Sequence, residues 1–250
     1  MLERRLEEAA LNAWPALRQM LCDGWVVRFS RGYTKRANSV NPLYTSSLEL
    51  REKVATCERL YREQGLPPIF RLTPFTTSSM LDGVLDERGY ATIEPSLVLH
   101  RDLQDRSEGS AGELREEALD DWLALFCEWS GVAGQRRPTL RAILEAIPTR
   151  RWLVTLPAEE RTVACALGVL EGEFFGIFDL VTAPQHRGRG HAARLMQSLL
   201  NRAQAHGAAQ AYLQVVQSNA PARRLYEKLG FSEAYPYWYR VLPSTHSTGD

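Results

Sequence analysis

A segment rich in glycine and arginine, placed between two apolar stretches, offers the most specific chemistry in the sequence. The segment reads Pro184-Gln185-His186-Arg187-Gly188-Arg189-Gly190-His191. Residues 174–182 are predicted as a strand before it, and apolar residues at helical spacing predict a helix after it. A turn from a strand into a helix exposes unpaired backbone N–H groups at the positive end of the helix dipole, so an anion such as a pyrophosphate can bind there. Gly188 and Gly190 let an anion approach the backbone, and Arg187 and Arg189 add guanidinium groups that suit phosphate oxygens.

Two common nucleotide-binding loops do not fit this segment. No Gly-Lys-Ser/Thr follows the glycines, which excludes a Walker loop, and the Gly-x-Gly-x-x-Gly pattern of dinucleotide-binding loops is incomplete. Taken alone, residues 187–190 would be interpreted as a surface turn with solvated charges. The motifs around the segment favour the anion site.

Two motifs in the second half of the chain resemble those of the GNAT (GCN5-related N-acetyltransferase) superfamily. The first is Gln185-x-x-Gly188-x-Gly190, and the second is Asn219-x-x-Ala222-x-x-x-Tyr226-x-x-x-Gly230-Phe231. The resemblance covers residues 114–242 and implies that both motifs bind acetyl-CoA, the first through its pyrophosphate. The residues implied to contact this co-substrate are Leu180, Val181, Thr182, Gln185, His186, Arg187, Gly188, Arg189, Gly190, His191, Asn219 and Ala222.

The resemblance also implies an α/β fold of the α+β type, built on a mixed and strongly bent sheet. The fourth and fifth strands of that sheet are expected at residues 174–182 and 209–216. They should splay apart, so that the pantetheine arm of acetyl-CoA lies between them.

A general base is expected near the splayed strands. An acceptor amine, with a pKa of about 10.4, is protonated at neutral pH and must lose a proton before it attacks the thioester. Asp179 is the first choice, because members of the family often carry an acidic residue on this strand, and Glu173 and Glu171 are the second. The alternatives are a structural ion pair or hydrogen bond for Asp179 and solvated turn residues for the two glutamates.

Tyr226 matches the family position of the general acid. A tyrosine with a pKa near 10 is protonated at pH 7 and can donate to a thiolate whose acid has a pKa of about 8.5. The alternative is a core tyrosine, because Tyr226 shares a helical stripe with Leu225 and Leu229. Asn219 would hold the pantetheine arm or cap a helix, two roles that can coexist. Backbone N–H groups of residues 180–182 should polarise the thioester carbonyl.

The sequence repeats itself over a long interval. Helix, glycine, strand, helix, glycine and aromatic residue follow one another twice, with 142 residues from Gly65 to Gly207 and 141 from Gly89 to Gly230. This predicts two tandem GNAT-like domains: residues 1–105 as a degenerate copy and 106–250 as the complete acetyltransferase, joined by a polar linker at 104–112. The alternative is a chance resemblance between two α/β stretches.

The first copy reads Val40-Asn-Pro-Leu-Tyr-Thr45 where the anion loop should be, with neither the glycine pair nor an arginine. It is therefore predicted not to bind acetyl-CoA, but to shape the acceptor site or to cover a face of the other copy. Within it, Pro15 is predicted either to end the first helix or to start a second short helix through Met20, and residues 33–40 are predicted as a strand. Lys35, Arg36, Asn38 and Ser39 would face a cleft between the copies, or lie on an exposed edge strand.

The acceptor groove of the family is bordered by segments that correspond to residues 129–138 and 234–239. Arg136 and Arg137 could pair with a carboxylate or phosphate of the acceptor, and aromatic residues could stack on it. These aromatic residues are Trp129, Tyr235, Tyr237 and Trp238. The alternative is surface arginines and core aromatics.

Composition limits the remaining classes. The 250 residues are 44% hydrophobic, and the 30 Lys and Arg balance the 30 Asp and Glu, so bulk charge predicts neither a nucleic-acid nor a membrane partner. Without an export signal the expected compartment is the cytoplasm, and the four scattered cysteines are expected as reduced core thiols. No metal is expected, and an acetyl-Cys165 mechanism is the weaker one. We expect a monomeric or homodimeric small-molecule amine acetyltransferase; a protein or peptide acetyltransferase and a non-catalytic acyl-CoA sensor are the alternatives.

Overall fold

The computed structural model describes residues 2–76, 79–103 and 113–243. The helices are α1 (Leu2–Ala13), α2 (Leu50–Glu63), α3 (Leu81–Glu87), α4 (Leu119–Ser130), α5 (Arg136–Glu145), α6 (His191–Ala205) and α7 (Ala220–Lys228). The strands are β1 (Arg18–Cys22), β2 (Trp25–Phe29), β3 (Val40–Asn41), β4 (Ile69–Leu72), β5 (Ala91–Asp102), β6 (Arg115–Glu116), β7 (Arg150–Ala158), β8 (Arg161–Glu171), β9 (Phe174–Thr182), β10 (Gln210–Val216) and β11 (Ser232–Val241). Among the described helices, none combines the length and apolar character that crossing a bilayer requires.

The chain forms two compact units whose boundaries differ from the predicted division at residue 105. The large unit consists of Met1–Pro15 and Leu97–Ala234, and the small unit of Ala16–Ser96 and Tyr235–Asp250. Strands β5 and β11 each begin in one unit and end in the other, so cutting the chain once cannot separate the units. The predicted linker at 104–112 lies outside the described residues. That the two units are copies of one fold stays a prediction.

The large unit is built on a mixed sheet with the strand order β5-β10-β9-β8-β7-β6. Strands β6 to β9 pair antiparallel, and β9 pairs with β10 in parallel. The parallel pairing runs from Phe174 opposite Gln210 to Ile177 opposite Leu213 and ends there, before the last residues of either strand. The mixed α/β fold is thus confirmed.

Both faces of β9 are covered within the large unit. Phe175 and Ile177 belong to a core cluster that includes Leu195 and Leu199 of α6. Side chains alternate along a strand, so Phe174 and Phe178 project to the opposite face, where α1 and α4 contact the sheet. Helices therefore pack against both faces of β9.

A β-bulge interrupts β9 close to its end. Phe178 pairs with Leu167 and Val181 with Cys165, so two residues, Asp179 and Leu180, lie opposite one residue of β8. Asp179 has a φ of 50°, in the left-handed region that few residues other than glycine, asparagine and aspartate adopt. Bulges of this kind turn the strand and redirect its side chains.

The small unit has the strand order β1-β2-β3-β4-β11, with β3 and β4 parallel and the other neighbours antiparallel. Helix α1 ends at Ala13 and residues 18–22 form the edge strand β1, so of the two alternatives at Pro15 the second short helix is wrong. Pairing of Cys22 with Trp25 across a tight hairpin decides this, because long-range partners override the weak local preference of the segment.

The strand predicted for residues 33–40 is also wrong, apart from its last residue. A turn of 3₁₀-helix at Lys35–Ala37 replaces it. Asn38, only 3% exposed, accepts hydrogen bonds from the backbone N–H groups of Ser30 (2.6 Å) and Gly32 (3.0 Å), which folds the segment back on itself. Lys35 pairs with Glu94 at 2.7 Å, and Ser39 is buried. Residues 33–40 therefore do not form an edge strand, and their polar side chains do not form a row that faces one way.

Candidate active site

A cavity of about 720 Å³ opens in the large unit where β9 and β10 separate. Ten of the twelve residues expected to contact acetyl-CoA line it, and Gln185 and Arg189 do not. Tyr226 lines it as well, together with four residues that the sequence did not single out. These four are Ala192, Ala193, Pro221 and Leu225. The signal that could have found them is position: Ala192, Ala193 and Pro221 lie on the first turns of α6 and α7, and Leu225 is next to Tyr226.

The glycine-arginine loop enters α6 in the expected manner. Gly188 and Gly190 have φ angles of 74° and 79°, so both positions use conformations that favour glycine. Helix α6 begins at His191, and the first N–H groups of a helix have no partner within it. The Arg187 guanidinium donates to the carbonyl of Thr182 at 3.3 Å, which holds it beside the cavity. The loop therefore presents N–H groups, a helix N-terminus and a fixed cation to one space.

His191 adds a polar atom to this space. Its Nδ1 is buried and accepts or donates no hydrogen bond within the described part of the chain. Burial lowers the pKa of His191, and the nearby Arg194, His186 and Arg189 lower it further. The lowered pKa favours the neutral imidazole at pH 7.

Asn219 stands at the start of α7, on the other side of the cavity. Its Oδ1 accepts a hydrogen bond from the Ala222 N–H at 3.2 Å, so the helix-cap role is present in the structure. The capping bond uses the oxygen and leaves the amide nitrogen as a donor. Both predicted roles of Asn219 are compatible with this geometry.

Tyr226 is half-buried in the cavity wall. Its ring lies 6.2 Å from that of Phe231 in an edge-on arrangement and packs against the core cluster of the large unit. Burial raises the pKa of Tyr226 to about 12, so the hydroxyl remains protonated at neutral pH. The side chain thus packs against the core and also lines the cavity, with its hydroxyl protonated.

Asp179 does not line the cavity, although its neighbour Leu180 does. The carboxylate is half-buried on the bulge and lies close enough to Cys165 and Cys127 to raise the pKa of both thiols, in each case after the larger effect of burial. Glu171 and Glu173, the second choices for the base, lie at the opposite end of β9. Glu173 pairs with Arg5 at 2.7 Å, and Glu171 accepts a hydrogen bond from Asn12 at 2.9 Å. The structure does not bring these two glutamates to the cavity.

The match to a protein family decides the identity. Residues 3–240 match the family described as "Probable histone acetyltransferase Rv0428c C-terminal". The chain belongs to this family. It is an N-acetyltransferase of the GNAT type, as the names of its relatives also indicate.

Relatives of this GNAT chain support the assignment over nearly its whole length. It is 28% identical over 246 residues to the uncharacterized N-acetyltransferase YobR of Bacillus subtilis, covering 95% of this chain and 98% of that protein. The solved structure of a GCN5-related N-acetyltransferase from Kribbella flavida superposes with a TM-score of 0.74 at 17% identity, covering 98% of this chain and 96% of that one. A shorter match, 37% identical over 57 residues, is to a [ribosomal protein bS18]-alanine N-acetyltransferase of Haemophilus ducreyi, covering 23% of this chain and 39% of that protein.

A covalent acetyl-cysteine is disfavoured in this GNAT chain. Burial, followed by the charge of Asp179, raises the pKa of the Cys165 thiol, whereas a nucleophile needs the thiolate. All four cysteines are free. In the described residues, no three His, Cys, Asp or Glu side chains come together in a way that could hold a metal ion.

The two segments expected at the acceptor groove differ in character. Arg136 and Arg137 lie exposed in the first turn of α5 in the large unit. In the small unit, Tyr235 and Tyr237 are buried, and the guanidinium of Arg71 lies 3.5 Å from the ring centre of Tyr237. For these two tyrosines the core interpretation is correct.

Proposed function

We propose that this GNAT enzyme transfers the acetyl group of acetyl-CoA to a primary amine of a small molecule by direct attack. The observation that supports this most strongly is the cavity itself. It opens where two parallel strands separate, and it joins an anion-binding turn to a protonated tyrosine.

The residues present suit acetyl-CoA, which supplies an activated acetyl group. A pyrophosphate carries negative charge, and the N-terminus of α6 with Arg187 meets that need. The amide nitrogen of Asn219 and the unpaired end of β9 can bind an amide-containing arm. Nothing in this lining is a carboxylate that would repel a phosphate.

Asp179 is proposed as the base. Its carboxylate accepts a proton from the acceptor ammonium, which leaves the neutral amine to form the new N–C bond. Backbone N–H groups of residues 180–182, beside the bulge, donate to the thioester carbonyl oxygen as negative charge develops on it.

Tyr226 is proposed as the acid. As the C–S bond breaks, its hydroxyl gives a proton to the departing thiolate. It regains a proton through water from the newly bonded nitrogen, which loses that proton to become the neutral amide. The raised pKa keeps the proton in place until a strong enough base is formed beside it. Asp179 returns its own proton to water, so both groups end as they began.

CoA release from acetyl-CoA, measured with a thiol reagent, tests the proposal against a panel of amino acids, polyamines, aminoglycosides and short peptides. We expect turnover with one class of small amine and a loss of about tenfold or more in Tyr226→Phe, which is about 1.4 kcal/mol of barrier. Tyr90→Phe is the matched control, because it removes a hydroxyl that bonds to Glu58 at 3.1 Å in the small unit. Equal losses in both variants, or none in Tyr226→Phe, would reject Tyr226 as the acid.

A protein or peptide N-acetyltransferase is the second candidate. The short matches to ribosomal-protein alanine N-acetyltransferases favour it, although they cover at most 32% of this chain. Zero net charge gives the enzyme no long-range attraction to basic proteins, which favours small acceptors. Turnover with peptides alone would select this second function. A rise in melting temperature with acetyl-CoA but no turnover with any amine would instead indicate a sensor.

A further inference from the structure

Helix α1 contacts both β8 and β9 within the large unit. Arg5 pairs at 2.7 Å with Glu173 in the turn before β9, and Asn12 donates at 2.9 Å to Glu171, the last residue of β8. Further along β9, the ring of Trp14 lies 5.9 Å from that of Phe178. The backbone N–H of Trp14 bonds to the Ala10 carbonyl, so Trp14 extends the last turn of α1.

Trp14 and Phe178 belong to a closely packed aromatic group next to the bulge. Phe178 is 4% exposed and lies between Trp14 and Tyr212, each only 1% exposed, with the Tyr212 ring 6.2 Å away. A methyl group at Gly176 would come within 2.6 Å of both the Phe178 ring and the Tyr212 hydroxyl. The Phe178 ring therefore folds over Gly176 and fills the space there.

The residue after Phe178 is Asp179, whose conformation has little support from the sheet. Two residues of β9 face one residue of β8 at the bulge, so the regular ladder is interrupted there. Asp179 has a φ of 50°, a conformation that aspartate tolerates better than most residues but that still costs free energy, so packing of its neighbours helps to maintain it. Packing of the adjacent Phe178 supplies such a constraint.

We propose that Trp14 is a positioning residue for the base of the reaction: its indole holds Phe178 and thereby fixes the direction of the Asp179 carboxylate. This rests on the proposed function, in which Asp179 accepts the proton of the acceptor amine. The helix that supplies Trp14 comes from the start of the chain, more than a hundred residues before the strand it supports. An enzyme without α1 would keep the anion loop but lose the support of its base.

The test compares Trp14→Leu, Trp14→Phe and the control Asn12→Ala, which loosens the same helix at the other end of β9. We expect Trp14→Leu to lower kcat about tenfold or more and to shift the acid limb of the pH profile of kcat/KM for the amine. The KM for acetyl-CoA should stay within about twofold, because the cavity lining is untouched. Trp14→Phe, which keeps an aromatic ring, should recover most of kcat, and Asn12→Ala should resemble the wild type.

Several outcomes would overturn the proposal. One is a Trp14→Leu variant with the wild-type kcat and pH profile, and another is Asn12→Ala with the same losses. A third is loss of kcat without any change in the acid limb. If Trp14→Leu does not fold, as judged by circular dichroism, Trp14→Phe and Phe178→Leu are judged by the same readouts.

Asp179→Asn separates this proposal from the one on which it rests. If that variant keeps wild-type activity, Asp179 is not the base and the proposed mechanism fails. If it is inactive while Trp14→Leu is unchanged, only the role of Trp14 is rejected.

Discussion

Two turns lead from a strand into a helix at matching places in the two units: residues 183–190 between β9 and α6, and residues 42–49 between β3 and α2. The offset of 142 residues that relates Gly65 to Gly207 also relates Ser47 to Arg189 and Leu48 to Gly190. In the large unit this turn borders the cavity, and its glycines leave the backbone accessible.

In the small unit, the Asp23 carboxylate is hydrogen-bonded to the backbone of the corresponding turn. Asp23 accepts hydrogen bonds from the N–H groups of Ser47 and Leu48, each at 2.9 Å. These bonds, that of Leu48 first, with those of the Ser46 and Ser47 hydroxyls, hold the pKa of Asp23 well below its usual range. The buried ammonium of Lys53 lies 3.3 Å from the same carboxylate.

The difference shows how two strand-to-helix turns reach two outcomes. A turn into a helix N-terminus favours an anion in both units. In the small unit, the Asp23 side chain of the β1–β2 hairpin is that anion. In the large unit, we expect a bound ligand to supply it. We therefore expect one acetyl-CoA per chain, bound by the large unit.

The largest change in acetyl-CoA affinity should come from a substitution that blocks the turn of the large unit. Gly190→Val places a β-branched side chain at a φ of 79° and should weaken acetyl-CoA binding roughly a hundredfold, about 2.7 kcal/mol. Isothermal titration calorimetry measures both affinity and stoichiometry. Gly207→Ala, at another positive φ with open space around it, is the control and should leave the affinity unchanged. Two sites in the wild type would contradict the comparison.

Substitution of the two arginines of the loop should lower acetyl-CoA affinity by smaller and unequal amounts. Arg187 lines the cavity, whereas Arg189 lines a neighbouring one beside Glu159, Glu160 and Arg161. Arg187→Gln should weaken acetyl-CoA binding about tenfold, as expected for loss of a phosphate contact, and Arg189→Gln less than about threefold. The same titrations decide, and equal losses would show that the two side chains share the anion.

The smallest effect on binding should follow Asp23→Ala, which empties the small unit's turn. Acetyl-CoA affinity should be unchanged, but the melting temperature should fall at pH 7, because Lys53 remains buried without its carboxylate. Because the pKa of the Asp23 carboxyl group is lower in the folded state, its ionised form stabilises the fold at pH values above the unfolded pKa of about 3.9. This stabilisation is lost as the pH falls below that value. Melting curves from pH 7 to pH 3 should thus decline less steeply for the variant. A weaker acetyl-CoA affinity would show that the turns are not independent.

The candidate site was predictable because its motifs are local. The loop before α6 and the Asn219 to Tyr226 spacing on α7 each fix a strand end or a helix face within about ten residues, and both reach the cavity. The two wrong elements of the small unit depend on distant partners instead. Residues 18–22 become a strand through β2, and Asn38 folds its segment through Ser30 and Gly32.

The sequence by itself determined which residues can bind an anion and donate a proton, because glycine, arginine and tyrosine carry that chemistry at any position with the right local turn. Only the tertiary structure decided three further matters. It assigned α1 to the unit that contains the cavity, placed Asp179 on a bulge at the far end of β9 from Glu171 and Glu173, and filled the small unit's turn with Asp23. The physical reason is that burial, register and the pairing of charges are set by residues far apart in the chain, which no local pattern records.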